Sequence, residues 1–272
     1  MIQWWYQSQT AVSGEKIKKA NEIKKKLILS LLVVVMAANI LIMNGCDILD
    51  KNARLEGNSD KYALEKVTVN EDSSLSGYNI LYLGSSVTNG SASMGVSFAE
   101  YIAKRNNTDY VKEAVNGTTL VAGKNSYIER LQKVDKEKNF DLFICQLSTN
   151  DATQGKPLGT PSLTKNPDVN TVCGAIEFII SYVRDTWDCP VVFYTGSYYE
   201  SNNYEAMVSA LHEIAALYDV GVIDMYTDEE FNAISEEERR LYMADDIHPT
   251  RAGYVEWWTP KMEDYLFDYL SR

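Results

Sequence analysis

From Tyr78 onward the chain alternates short apolar runs with longer amphipathic stretches, and that rhythm restricts the fold more than any other feature. The apolar runs are Asn79–Leu83, Tyr110–Ala114, Leu142–Leu147, Val191–Thr195 and Val220–Ile223. Runs this short and this continuous read as strands buried on both faces, which is the habit of a parallel sheet. Between them, helices are expected at Val96–Lys104, Ser126–Val134, Val172–Trp187 and Tyr204–Tyr218, with a last one at Ala252–Leu270. Repeated strand–helix–strand units cross over with a right hand and cover both faces of the sheet. The expected fold class is therefore α/β, a three-layer α/β/α sandwich.

The chain ahead of that pattern has a different composition. Residues 1–45 carry six lysines against two glutamates, a net of +4, so with −12 for the whole chain the remainder carries −16. A body that acidic argues against nucleic acid as a partner, since phosphate backbones bind basic faces. The lysine cluster runs straight into Leu27–Met43, 17 residues without a charge. A basic flank before an uninterrupted apolar run has the order of a secretory signal, and the run also reaches the lower limit for a bilayer span. Its ending, Ile42-Met43-Asn44-Gly45-Cys46, resembles a bacterial lipoprotein signal, in which the cysteine takes lipid after cleavage. Met43 and Asn44 stand where such signals carry leucine and a small residue. Either reading puts the acidic body outside the cytoplasmic membrane and tethers it there. The expected organisation is residues 1–46 as signal or anchor, 47–76 as a polar tether with a short strand at Lys66–Val69, and 77–272 as the working domain.

Three cysteines remain. Cys145 falls inside an apolar strand and reads as a small buried hydrophobe. Cys173 and Cys189 bracket a helix whose ends lie about 24 Å apart, too far for a disulfide. No cysteine or histidine spacing suggests a metal site. One segment breaks the rhythm: Ala152–Asn170 holds three of the six prolines and two glycines. A long irregular loop at a strand's carboxyl end is expected to face substrate.

The residues able to do chemistry gather at the same strand ends. The chain has two histidines, and His248 stands in Asp245-Asp246-Ile247-His248-Pro249-Thr250. An imidazole is the usual base for activating a hydroxyl near neutral pH, and Asp245, three residues earlier, is placed to hold the ring. Asp246 reads as solvated. His212, inside a helix beside Glu213, reads as a surface residue. Ser86, in Leu83-Gly84-Ser85-Ser86, follows the first strand and completes a Ser, Asp, His order. Gly117 after the second strand and Asn150 after the third can each offer an N–H to an oxyanion, whereas Asp151 reads as structural. Taken singly each is an ordinary turn residue. Together they converge on one crevice.

These residues resemble the SGNH or GDSL hydrolases. The family's first block is similar to Gly84-Ser85-Ser86-Val87-Thr88-Asn89-Gly90, its second-block glycine to Gly117, its third block to Asn150-Asp151 and its last to Asp245 through Pro249. The departure is Ser85, where the family carries aspartate. The resemblance spans roughly Tyr78 to Leu270 and implies a flavodoxin-like sheet and ester hydrolysis by a serine nucleophile, without metal or cofactor. It implies Ser86, Asp245 and His248 as the catalytic set, with Ser86, Gly117 and Asn150 forming the oxyanion hole. The expected substrate is a small acyl ester, acetyl by preference, on a carbohydrate. An extracellular setting, the acidic body and a tyrosine cluster (Tyr198, Tyr199, Tyr204) support the sugar. The alternatives are acyl transfer to a sugar hydroxyl by the same residues, and a non-catalytic surface protein that binds polysaccharide.

Overall fold

Why the apolar runs pair as they do is visible in the computed structural model, which describes residues 51–271. Five strands, β1 (Asn79–Gly84), β2 (Asp109–Ala114), β3 (Leu142–Gln146), β4 (Val191–Tyr194) and β5 (Gly221–Ile223), form one parallel sheet in the order β2-β1-β3-β4-β5. Successive side chains in a strand leave on opposite faces, and both faces here are apolar. Leu81, Leu83, Phe143, Cys145, Val191 and Phe193 point to one side, where they meet α-helices Val172–Trp187 and Asn202–Tyr218. Ile80, Tyr82, Leu142, Ile144, Val192 and Tyr194 point to the other, against Phe98–Asn106 and Thr259–Leu270. In chain order these four helices are α1 (Phe98–Asn106), α2 (Val172–Trp187), α3 (Asn202–Tyr218) and α4 (Thr259–Leu270). The expected three-layer α/β/α sandwich is the one found. With fully buried Leu, Val and Phe side chains worth about 1.5–3 kcal/mol each, the two apolar layers fix the strand register and hence where each strand ends.

Helix starts follow their caps. Ser97 and Glu100 close a capping box on α1, while Thr171 and Ser201 accept from the first turns of α2 and α3. The α4 region begins with a wider π-type turn, Gly253–Trp258, before the α-helix proper. Cys145, Cys173 and Cys189 are free and buried.

Two expectations change. Lys66–Val69 is no strand; a single 3-10 turn stands at Leu64–Lys66, because no partner strand lies beside it. From Asn52 on, the stretch read as a tether is packed onto the sheet domain. Tyr62 and Leu75 are buried, Tyr101 Oη donates to the Tyr62 carbonyl at 2.6 Å, and Asn70 N donates to the Arg105 carbonyl at 2.6 Å. The irregular loop after β3 is pinned along α2. Pro157 and Leu158 carbonyls accept from Val172 N and Cys173 N, and the buried Glu177 carboxylate accepts from the Ser162 amide and hydroxyl. Its first residues, Ala152 and Thr153, belong to the helical turn Thr149–Thr153. Leu27–Met43 and Cys46 lie outside the described residues.

Candidate active site

All the strands are parallel, so their carboxyl ends share one edge, and Ser86, Gly117 and Asn150 leave that edge from β1, β2 and β3 in turn. The chain turns sharply at Gly84. A Cβ there would fall 1.7 Å from Thr88 Oγ1 and 2.9 Å from Gln146 Oε1, so nothing larger than glycine fits. One helical turn, Ser86–Asn89, starts at the serine itself and is closed by Gly90 at φ +74°. The Ser86 amide thus heads a helical turn, and it donates to no acceptor among the described residues.

Beneath this turn lies a buried polar knot. Gln146 Oε1 accepts from Ser85 N at 2.8 Å and from Thr88 Oγ1 at 2.9 Å. Since the Thr88 hydroxyl is spent as a donor, it accepts in turn from Tyr194 Oη at 2.6 Å. The Arg130 guanidinium, 5% exposed, comes up from the side. It donates to the carbonyls of Gly84 (2.8 Å), Glu113 and Asn125 (3.2 Å) and to Thr118 Oγ1 at 3.2 Å. One cation therefore ties the end of β1 to the end of β2 and to the loop carrying Gly117. Gly117 holds φ +74°, and an added Cβ would meet open space, so backbone conformation rather than crowding requires glycine. Its amide has no acceptor among the described residues. Asn150 Nδ2 donates to the Thr118 carbonyl at 3.0 Å, which sets the side-chain amide beside the same loop. Asp151 is fully buried and accepts from Leu120 N and Val121 N at 2.8 and 3.1 Å, so it braces that loop as a structural residue.

The late loop arrives opposite Ser86. Met243 and Pro249 form an antiparallel bridge, Ala244 N donates to the His248 carbonyl, and Thr250 Oγ1 donates to the Leu241 carbonyl. Held this way, His248 places Nε2 2.8 Å from Ser86 Oγ. Its Nδ1 lies 2.9 Å from both carboxylate oxygens of Asp245. The network fixes one tautomer: Nδ1–H donates to Asp245 and Nε2 accepts the Ser86 hydroxyl. Partial burial would raise the Asp245 pKa, but the His248 ring and the Ile247 and His248 amides outweigh it and hold the carboxyl at about 2. The carboxylate is therefore charged near neutral pH. Asp246 is exposed, and His212 sits elsewhere, on α3, 2.7 Å from Asp224.

A hydroxyl bonded to an imidazole bonded to a carboxylate, at the carboxyl edge of a parallel sheet, matches one family by sequence as well. The model of the GDSL-like Lipase/Acylhydrolase family aligns with residues 82–255. The chain belongs to that family. Solved structures agree on the GDSL fold. A protein from Lactobacillus plantarum is 19% identical with a TM-score of 0.61, covering 71% of this chain and 98% of its own. A member of the lipolytic protein G-D-S-L family from Veillonella parvula is 18% identical with a TM-score of 0.52, covering 68% of this chain and 96% of its own. The lipase/acylhydrolase from Enterococcus faecalis is 16% identical with a TM-score of 0.52, over 71% and 96% of the two chains. At these identities the likeness is one of fold. No curated protein matches the chain.

Three residues that hold this GDSL site were not singled out from sequence. In sequence, Gln146 falls within the run Leu142–Leu147 and Arg130 within the helix expected at Ser126–Val134, with nothing to mark either. Asn58 lies in the stretch read as a tether, outside the family match, and is 2% exposed. Its Nδ2 donates to the Ala92 carbonyl at 2.7 Å and its Oδ1 accepts from Arg251 N at 2.8 Å. Asn58 thereby links the chain just after the Ser86 turn to the chain just after His248. The nearby Gly57 permits this approach, since a Cβ there would meet the Leu241 carbonyl at 2.0 Å.

Proposed function

We propose that this GDSL-family protein is a serine esterase that removes a small acyl group, acetyl by preference, from a carbohydrate outside the cytoplasmic membrane. The observation that carries the reading is the 2.8 Å contact between Ser86 Oγ and His248 Nε2, with Asp245 on the opposite ring nitrogen. His248 takes the serine proton as Oγ attacks the ester carbonyl, and Asp245 stabilises the imidazolium that forms. The tetrahedral oxyanion is met by the Ser86 and Gly117 amides and the Asn150 side-chain amide, which need no reorganisation because Arg130 and Asp151 already fix their loops. His248 then protonates the leaving alcohol. In the second half, His248 deprotonates water, which attacks the acyl-serine carbonyl and releases the acid and free Ser86. Removal of the Asn150 donor is worth about 3 kcal/mol of transition-state stabilisation, roughly a hundredfold in rate. The acidic body, the lysine-flanked apolar run and Cys46 support a tethered, extracytoplasmic setting, by lipid on Cys46 or by the uncleaved run.

The test is covalent labelling. Intact mass after exposure to a serine-directed fluorophosphonate should show one adduct on the wild type and none on Ser86→Ala, with His248→Ala labelled far more slowly. Ser86→Ala and His248→Ala should both lose turnover of p-nitrophenyl acetate while keeping the wild-type melting temperature. An unlabelled, folded wild type would remove the mechanism.

A further inference from the structure

The carboxyl edge of the sheet continues past the candidate site, from β1 across β3 to β4 and β5. There a cleft of about 300 Å³ opens, lined by Tyr198 and Asn232 together with Tyr226, Thr227, Glu205 and Glu229. Of the three tyrosines clustered after β4, Tyr204 is buried with its hydroxyl on the Leu147 carbonyl, and Tyr199 is half-buried. Tyr198 alone presents its ring, 50% exposed. That ring leans on Tyr226, centroids 5.3 Å apart and tilted by 37°, and Tyr226 is held by a hydrogen bond from its hydroxyl to the Tyr199 carbonyl. Asn232 fixes the backbone beneath: its Oδ1 accepts from Tyr198 N, and its Nδ2 donates to the Met225 and Asp228 carbonyls. The exposed ring is thus a positioned surface. Glu205 and Glu229 are exposed, and among the described residues neither forms a salt bridge. The third acid, Asp228, is answered by Lys261.

We infer that this cleft is a saccharide subsite that takes a ring of the acylated carbohydrate distant from the ester, and that it selects neutral or amine-bearing sugars over uronic acids. An amphipathic aromatic face stacks on the C–H face of a pyranose, and free carboxylates accept from its hydroxyls or ammonium. The same carboxylates repel a uronate, because none of the residues lining the cleft is a lysine or arginine and the neighbouring Lys261 is taken up by Asp228. The position fits a chain running along the edge. β4 and β5 lie two and three strands from β1, and at about 4.8 Å per strand the cleft is about 10–14 Å from the end of β1, within reach of a short oligosaccharide whose ester lies at Ser86. The inference rests on the esterase reading for its substrate but on the cleft for its ligand.

Binding separates the two. The full-length Ser86→Ala chain, held in a detergent without a sugar headgroup, is titrated calorimetrically with chitosan hexamer, xylohexaose and hexagalacturonate. The chitosan or xylose oligomer should bind and hexagalacturonate should bind at least tenfold more weakly. Adding Tyr198→Ala should weaken binding tenfold or more, Tyr198→Phe should restore it, and Glu205→Gln should narrow the gap to hexagalacturonate. No oligomer binding, binding indifferent to Tyr198→Ala, or hexagalacturonate binding as well as the others would each overturn the subsite. Turnover of p-nitrophenyl acetate by the wild type, measured alongside, reports on the esterase reading alone. Sugar binding without turnover fails only that reading, and turnover without sugar binding fails only the subsite.

Discussion

The family's aspartate at position 85 is replaced here by serine, and the site around it carries a matching defect that can be measured. Tyr127 is fully buried, and its hydroxyl faces the Ser85 and Ser148 side chains without a hydrogen bond of good geometry to either. A desolvated donor without an acceptor costs about 1–3 kcal/mol. Tyr127→Phe removes that donor and one oxygen's volume, so in the natural sequence it should be neutral or stabilise by up to about 1 kcal/mol. An aspartate side chain reaches one bond further than serine and would offer that hydroxyl a charged acceptor, a bond worth about 1.5–3 kcal/mol. In the Ser85→Asp background, Tyr127→Phe should therefore destabilise.

The two backgrounds differ by a coupling of about 2 kcal/mol or more, which for a domain of this size is about 4–8 °C in melting temperature. Ser85→Asp alone should still lower stability. Ser85 is fully buried, and Gln146 Oε1, which takes both its amide and its hydroxyl, would face a carboxylate, acceptor against acceptor. One charge-assisted bond from Tyr127 does not offset a buried charge that costs several kcal/mol. The assay is a double-mutant cycle by thermal denaturation of the full-length chain. A coupling below about 0.5 kcal/mol would show that the Tyr127 hydroxyl does not belong to the residue at position 85.

Two further outcomes follow from the same geometry. Asn58→Ala removes the bonds to Ala92 and Arg251, leaving Arg251 N without its acceptor, and should cost about 2–3 kcal/mol, read as a fall of about 5–10 °C in melting temperature. On the proposed mechanism it should also lower kcat more than it raises KM, since it loosens the Ser86 turn against the His248 loop. An unchanged kcat would leave Asn58 as a fastener and no more. For Asp245, the carboxyl is held below its unfolded value of 3.8, at about 2, so its contribution to stability is present above 3.8 and is lost as pH falls towards 2. Melting curves of wild type and Asp245→Asn should therefore converge below pH 4; a gap that persists to pH 2 would assign the stabilisation to something other than the ionised carboxyl. The side chain is more than half exposed, so solvent screening keeps that gap small.

The fold was legible because burial on both faces leaves its mark directly in the strands. β1 and β3–β5 are nearly uninterrupted apolar runs, and helix α2 has the expected bounds, Val172–Trp187. β2 was legible for a weaker reason: as an edge strand it carries Asp109, Lys112 and Glu113, and only its place in the alternation marks it. The stretch 52–76 was misread as a tether because composition reports average polarity. What packs that stretch is a few buried groups, Asn58, Tyr62 and Leu75, spaced by exposed ones, with hydrogen bonds to residues up to 193 positions away. No local pattern encodes a partner at that distance.

The candidate site divides along the same line. Ser86, Gly117, Asn150, Asp245 and His248 could be named because each sits in a short block next to a strand end, and the order of the blocks is the order of the strands. Gln146, Arg130 and Asn58 could not, since each acts by reaching a different segment: Gln146 under Ser85 and Thr88, Arg130 across Gly84 and Thr118, Asn58 between Ala92 and Arg251. These three residues are what turn five ordinary turn residues into a fixed constellation. A 2.8 Å contact between Ser86 and His248 depends on the β1 turn and the late loop staying in register. Register is supplied from below by a neutral acceptor, from the side by a buried cation, and from outside the matched family region by one asparagine. Activity in this chain should accordingly be as sensitive to the segment before β1 as to the loops that bear the reacting atoms.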